Sequence, residues 1–286
     1  MTSTAYNLHL PARRETAVIF ASPHSGRAYD ADFLKISVLD GHTVRTSEDA
    51  YVDDLLAGIP ALGAVLLTAV APRAYIDLNR AADELDPAVV EGARIMSHNP
   101  RVASGLGVIP RVVSGGRAIY RGKLPMDQVR TRIRTWWHPY HDCLQRLLDE
   151  SRAEFGQAIL IDVHSMPHEA MEAIAARPGY RPEIVIGDRY GASASSDVVI
   201  KVEEAFRAEG FRVARNAPFA GAYIAQAYGR PGINQHAVQI ELDRSLYMDE
   251  RLIAPRADFD HFRHRLMRAL SAVADLGRPE ARLAAE

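Results

Sequence analysis

Short runs of β-branched and apolar residues recur along this chain at Ala17–Ser22, Gly63–Thr68, Ala158–Val163, Glu183–Ile186, Arg212–Arg215 and Ala237–Leu242. Between them lie longer amphipathic stretches at Ala50–Ile59, Leu124–Phe155, Ser195–Glu209 and Asp258–Leu276. That alternation restricts the chain to an α/β architecture, a central mixed, mainly parallel sheet flanked by helices. Pro125 sets the start of the second helix to within a residue or two, and Pro139 predicts a break or kink midway along it. No linker or internal repeat divides the sequence, so residues 1–286 are expected to form a single domain. Residues 81–122 carry Asp-Pro, Asn-Pro and Gly-Gly punctuation with little periodicity, which predicts a long segment covering an active site, with hairpin character around Val112–Tyr120. Residues 278–286 read as a frayed tail.

Composition excludes several classes of function. The 286 residues include 34 basic and 36 acidic side chains and a single cysteine, Cys143. A chain of this length can bury a large core without covalent staples, and one cysteine forms no internal disulfide. Near-neutral charge provides no field for drawing in phosphate backbones, so no nucleic-acid partner is expected. The longest apolar runs, such as Ala61–Ala71, fall short of the ~20 residues of a membrane-spanning helix, and the first residues lack a secretory apolar stretch. The expectation is a cytoplasmic protein with no membrane association.

In open α/β sheets, ligands gather beyond the carboxyl ends of the strands. Here Val18–Ser22 runs into Pro23-His24-Ser25-Gly26, Ile159–Val163 runs into His164-Ser165, and the last apolar run carries Glu241. A lone histidine is more often packed than ligating, but two at equivalent strand ends make a metal pair an even contender. Hydrolytic zinc commonly takes two imidazoles and a carboxylate and keeps one position open. The carboxylate candidates lie in Ser47–Asp54, which reads equally well as a helix start capped by Ser47 with Glu48 and Asp49 in its first turn. Asp162 shares a strand face with His164 and could orient it.

Glu241 follows an apolar run, where a carboxylate is costly to bury unless it is paired or coupled to chemistry. An arginine salt bridge and a general base are the two readings. Arg73 and Arg80 flank Ala74–Asn79; either could face an oxyanion or a substrate carboxylate, or Asp77 could simply pair with Arg80. His138 and His141, separated by Pro139, read as a packed surface pair. A helical His-Glu-x-x-His, a complete dinucleotide fingerprint and a Gly-x-Ser-x-Gly elbow are all missing from the sequence.

With these residues in view, the sequence resembles the N-formylglutamate amidohydrolase family from about Val18 to about Asp249. The resemblance rests on Ser22–Gly26, the acidic segment at Asp49, Arg73–Arg80, Trp137–His141, Asp162–Ser165 and His236–Leu242, in that order and spacing. It implies a zinc peptidase-like fold and metal-dependent hydrolysis of the amide of a small N-acyl, above all N-formyl, amino acid, with one zinc per chain. Residue by residue it implies His24, Asp49 and His164 as zinc ligands, with Asp49 preferred over Glu48, and Glu241 as general base. Arg80 would stabilise an oxyanion, and Arg73, Asn79 and Arg111 would face the substrate. One departure stands out: where the family tends to carry a Gly-Gly-His-Ile type of stretch, this chain reads Phe219–Gln226 without a histidine. That directs attention to N-acyl amino acids besides formylglutamate, with Arg101, Arg111 and Arg121 as replacement carboxylate contacts. The alternatives are a zinc carboxypeptidase acting on peptides and a catalytically inactive binding protein of the same fold.

Overall fold

All the apolar runs become strands of one seven-stranded sheet. The computed structural model describes residues 4–94, 99–174 and 181–279. Its strands are β1 (Tyr6–His9), β2 (Val18–Ser22), β3 (Val65–Ala69), β4 (Ala158–Met166), β5 (Ile184–Gly187), β6 (Val213–Arg215) and β7 (Gln235–Asp243). The spatial order is β1-β3-β2-β4-β7-β5-β6. The middle four, β3, β2, β4 and β7, run parallel. β1 pairs antiparallel with β3, while β5 returns antiparallel to β7 and carries β6 parallel to itself. The central strands are buried at every residue. Helices cover both faces, so the strands read as continuous apolar runs rather than alternating ones. β1, only four residues long and alternately half-buried and exposed, escaped the sequence reading.

One face of the sheet packs against α2 (Ser196–Ala208) and α4 (Phe259–Asp275), with Ile161, Val163, Ile240 and Phe262 in a common core. The other packs against α1 (His138–Phe155) and α3 (Tyr223–Tyr228), through Leu160, Ala237, Tyr140 and Leu144. Pro139 does not break the long helix. The chain coils helically from Met126, passes through one π turn at Ile133–Trp137 and continues as α1. The wider turn, in which the His138 N–H reaches the Ile133 carbonyl, accommodates a residue that lacks its own N–H.

One local expectation is corrected. The helix placed at Ala50–Ile59 is a short one, Val52–Leu55, and Ser47 ends a preceding 3-10 turn instead of capping it. Asp53 and Asp54 therefore occupy the first helical turn, which frees Glu48 and Asp49 for other partners. Within residues 81–122, Val89, Val90, Val108, Ile109 and Ile119 pack with Phe33, Ile76 and Val129. Their apolar side chains are presented by turns, which leave no period to read. Val112–Val113 and Arg117–Ala118 form a small antiparallel ribbon within this stretch. In the tail, Arg278 is tied to Asp275 and to the Leu62 carbonyl, and residues 280–286 lie outside the described residues. Among the described residues no helix is long and apolar enough to cross a membrane.

Candidate active site

The carboxyl ends of β2, β4 and β7 open into a cavity of about 490 Å3 that His24, Asp49, His164 and Glu241 all line. His24 sits two residues beyond β2, on a turn pressed against the end of β3; a side chain at Gly26 would collide with the Ala71 carbonyl. In the paired strands β4 and β7, His164 is the register partner of Glu241 and Asp162 that of Gln239. The pleat sends alternate residues to one side, so all four share a face.

Asp49 reaches the histidines from a separate segment. Tyr51, just before the short helix, holds a left-handed conformation (φ 64°) that a non-glycine residue adopts at a cost. Its hydroxyl donates to the Ile253 carbonyl at 2.9 Å. Glu48 and Asp49 precede this turn and diverge. Glu48 accepts from Arg45 Nε and Nη2, both at 3.0 Å, and from the Tyr29 hydroxyl at 3.0 Å. Asp49 points into the cavity, with Oδ2 3.0 Å from His164 Nδ1 and 3.6 Å from His24 Nδ1. The ligand atoms of His24, Asp49 and His164 all lie within 4.8 Å of one another, and all three residues are buried.

The outer nitrogens of the imidazoles are held by carboxylates. His24 Nε2 lies 2.7 Å from Asp77 Oδ1, and His164 Nε2 lies 3.0 Å from Asp162 Oδ2. Asn79 adds its amide nitrogen 3.0 Å from His164 Nε2, and its oxygen accepts from the Ile224 N–H at 2.7 Å. A carboxylate on the outer nitrogen is the usual way in which a metal-ligating imidazole is oriented and its tautomer fixed. His24 Nδ1 is buried with no hydrogen-bond partner among the described residues, a costly state for a polar atom unless something else pairs with it. Burial works against a charged His164, but Asp162 and Asp49 outweigh it and hold the imidazole well above its ordinary pKa. Asp49 likewise stays well below the usual carboxylate range, burial being overcome by His164 and His24. Two inward imidazole nitrogens and one carboxylate oxygen thus form a buried donor set that could hold a metal ion.

Around this centre the remaining polar groups sort themselves by partner. Asp77 accepts from Arg73 Nε at 3.1 Å and from the Asn79 N–H at 2.8 Å, so its cation is Arg73 and not Arg80. Arg80 donates from Nε to the Leu106 carbonyl at 2.8 Å and from Nη1 to the Asn79 carbonyl at 2.7 Å. Both arginines line the cavity. Burial, with Arg73 and Arg101 nearby, pulls the Arg80 guanidinium below its ordinary pKa against the opposing pull of Asp77 and Glu84. Glu241 Oε1 accepts from Gln239 Nε2 at 2.9 Å, and among the described residues no arginine forms an ion pair with Glu241. Burial, reinforced by Asp49 and Asp162 and opposed by His164 and Arg73, pushes the Glu241 carboxyl up to about 7. That is suited to taking up and releasing a proton near neutrality.

Of the loop arginines, Arg101 lines the cavity and Arg111 does not; Arg111 Nε is committed to Asp86 Oδ2 at 2.8 Å. Phe219–Ala222, the stretch without the family's histidine, forms another part of the wall. His141 is buried rather than superficial. Its Nε2 donates to the Leu78 carbonyl at 2.9 Å, while Trp137 Nε1 donates to the Arg80 carbonyl at 2.9 Å. The start of α1 thus grips the backbone on both sides of Asn79. Arg244 was missed in the sequence: its Nη2 donates to Asp49 Oδ1 at 3.1 Å. Its position three residues beyond Glu241, at the end of the same strand, was the available signal.

Known proteins match this chain along most of its length. The profile of the N-formylglutamate amidohydrolase family matches residues 16–248. The chain is 30% identical over 263 residues to an N-formylglutamate deformylase of Pseudomonas aeruginosa, covering 90% of this chain and 92% of that protein. It is 29% identical over 236 residues to the Pseudomonas putida N-formylglutamate deformylase, covering 82% of each. Its fold is similar to the crystal structure of N-formylglutamate amidohydrolase from Ralstonia eutropha, with a TM-score of 0.87 and 32% identity over 96% of this chain and 99% of that one.

Proposed function

The chain belongs to the N-formylglutamate amidohydrolase family, and on that premise we propose that it is a zinc-dependent amidohydrolase cleaving the amide of a small N-acyl amino acid, N-formyl substrates above all. The observation that carries the reading is the convergence of His24, Asp49 and His164 in one cavity with Glu241. The three would hold zinc, which when bound polarises an amide carbonyl and makes a water more acidic.

Glu241 accepts the proton of the water that attacks the formyl carbon, and Arg80 supplies positive charge to the oxygen that becomes negative. As the carbon–nitrogen bond breaks, Glu241 returns that proton to the leaving amine, so that one water is consumed and formate and an amino acid are released. Arg73 is engaged with Asp77. Arg101, on the cavity wall, therefore grips the substrate carboxylate. Asp77 and Asp162 keep the two imidazoles turned inward throughout.

The test is formate release from a panel of N-formyl amino acids headed by N-formylglutamate, before and after chelation and zinc addition, alongside Glu241→Gln. Release that chelation abolishes and zinc restores, with Glu241→Gln retaining metal but little turnover, supports the reading. Metal-loaded protein that releases no formate from any member overturns the deformylase activity. Release insensitive to chelation overturns the metal dependence.

A further inference from the structure

Asp49 meets the two imidazoles with Oδ2, and its other oxygen is equally engaged. Oδ1 accepts from Arg244 Nη2 at 3.1 Å and from Ser165 Oγ at 3.3 Å. The guanidinium reaches further acceptors as well, Ser165 Oγ from Nε at 3.0 Å and the Thr46 carbonyl from Nη1 at 3.2 Å. Arg244 is only 6% exposed. The turn that follows β7 is capped by Asp243, whose Oδ1 accepts the Ser245 N–H at 2.9 Å. Arg244 folds back from that turn across the strand ends, joining the segments that carry Asp49 and His164.

We propose that Arg244, together with Ser165, is a positioning pair that ties up Asp49 Oδ1 and leaves only Oδ2 for the metal. The inference rests on reading His24, Asp49 and His164 as a metal site. A carboxylate with both oxygens free can close on a cation with two bonds; one whose second oxygen carries two donors, one of them charged, presents a single oxygen. A single-oxygen Asp49 keeps a coordination position open for water, which a hydrolytic site requires. Sharing the Asp49 charge with Arg244 also leaves the bound ion a stronger Lewis acid. Arg244 borders the cavity, but each of its nitrogens already donates to protein, which sets it apart from an arginine waiting for a substrate anion.

The experiment compares wild type, Arg244→Met, Arg244→Lys and Ser165→Ala by zinc affinity, from competition with a chromophoric chelator, and by the visible absorption of the cobalt(II)-loaded proteins. Circular dichroism and melting of the metal-free proteins establish folding. Arg244→Met is expected to strengthen zinc binding severalfold, because a second carboxylate oxygen and an unshared charge then face the ion, and to lower the intensity of the cobalt band as coordination rises above four. Ser165→Ala moves both readouts the same way by less. Arg244→Lys restores the charge without the fork and falls between. Should Arg244→Met fail to fold, the other two variants carry the comparison. If wild type binds zinc and the folded variants match it in affinity and spectrum, the positioning role is overturned while the metal site stands. Unchanged affinity and spectrum with a raised KM places Arg244 on the substrate and also overturns it. A wild type that binds no zinc overturns the metal reading and this inference together.

Discussion

His24 and Asp77 stand 53 residues apart and meet through a 2.7 Å hydrogen bond that engages Nε2 of the imidazole and turns Nδ1 toward Asp49. Asp77 is buried, yet His24 and Arg73 overcome that burial and keep it ionised, well below the usual carboxylate range. Asp77→Asn keeps the shape but removes the charge that orients the ring. Zinc affinity should fall about 10–100-fold, as for other outer partners of metal-ligating histidines. A competition titration of the folded variant reads this directly; wild-type affinity would show that His24 is oriented by its packing alone.

The adjacent carboxylates Glu48 and Asp49 should separate cleanly by experiment. Asp49→Ala removes an oxygen from the centre and is expected to abolish stoichiometric zinc binding. Glu48→Ala leaves that centre intact and strips Arg45 and the Tyr29 hydroxyl of their acceptor, so it should retain metal while losing about 1–3 kcal/mol of stability. Zinc content and urea denaturation of both variants provide the check. Loss of zinc from Glu48→Ala alone would reverse the choice between them.

The strands and the histidines at their ends were legible because strands covered on both faces must be apolar throughout, and an interruption by His or Glu at such an end is conspicuous. What sequence could not supply was direction. Glu48 and Asp49 are chemically alike and adjacent, and only the left-handed turn at Tyr51 and the partners Arg45 and Arg244 decide which one faces His164. Arg101 and Arg111 differ for the same reason: Asp86, distant by 25 residues from Arg111, claims one of them. Pro139 misled because a helix can absorb a proline through a wider turn, a choice set by packing rather than by local propensity. His141 was underestimated because its acceptor, the Leu78 carbonyl, belongs to a segment 63 residues away.

Burial lowers the pKa of His141 to about 3, so the folded protein holds it neutral between the Tyr228 hydroxyl and the Leu78 carbonyl. In the unfolded chain the imidazole titrates near 6.5. Its stabilising contribution is therefore present above pH 6.5, declines as pH falls below that value and is lost as pH falls through about 3. His141→Phe should cost about 1–3 kcal/mol near neutrality, through the two groups it leaves unpaired. The gap between wild type and variant should then close on acidification. Urea denaturation of both proteins from neutral to acid pH tests this, and a gap independent of pH would refute the linkage.

Glu241 runs in the opposite direction. Its carboxyl is raised to about 7 in the folded, metal-free protein against an ordinary value of 4.5. The proton is thus held more tightly folded than unfolded. The resulting stabilisation is full below 4.5, falls as pH rises through the window from 4.5 to about 7, and is lost above it. Metal-free Glu241→Gln lacks this loss, so its stability relative to wild type should increase between pH 4.5 and 8 by an amount on the order of 3 kcal/mol. Denaturant midpoints of the two metal-free proteins across that range are the measurement. A constant difference would mean that Glu241 ionises as freely in the fold as in the unfolded chain.

Arg101 and Arg111 offer the last contrast, between a residue on the cavity wall and one behind it. If Arg101 grips the substrate carboxylate, Arg101→Ala removes a charge-assisted contact made equally in the ground and transition states. KM for an N-formyl amino acid should rise, by about tenfold or more, with kcat nearly unchanged. Arg111→Ala should leave KM alone and instead lower stability, because Asp86 loses the guanidinium at 2.8 Å and remains almost buried. Steady-state kinetics and thermal melting of both variants decide the matter. A raised KM in Arg111→Ala with an unaffected Arg101→Ala would mean that substrate binding draws the Arg111 side chain away from Asp86 and into the cavity.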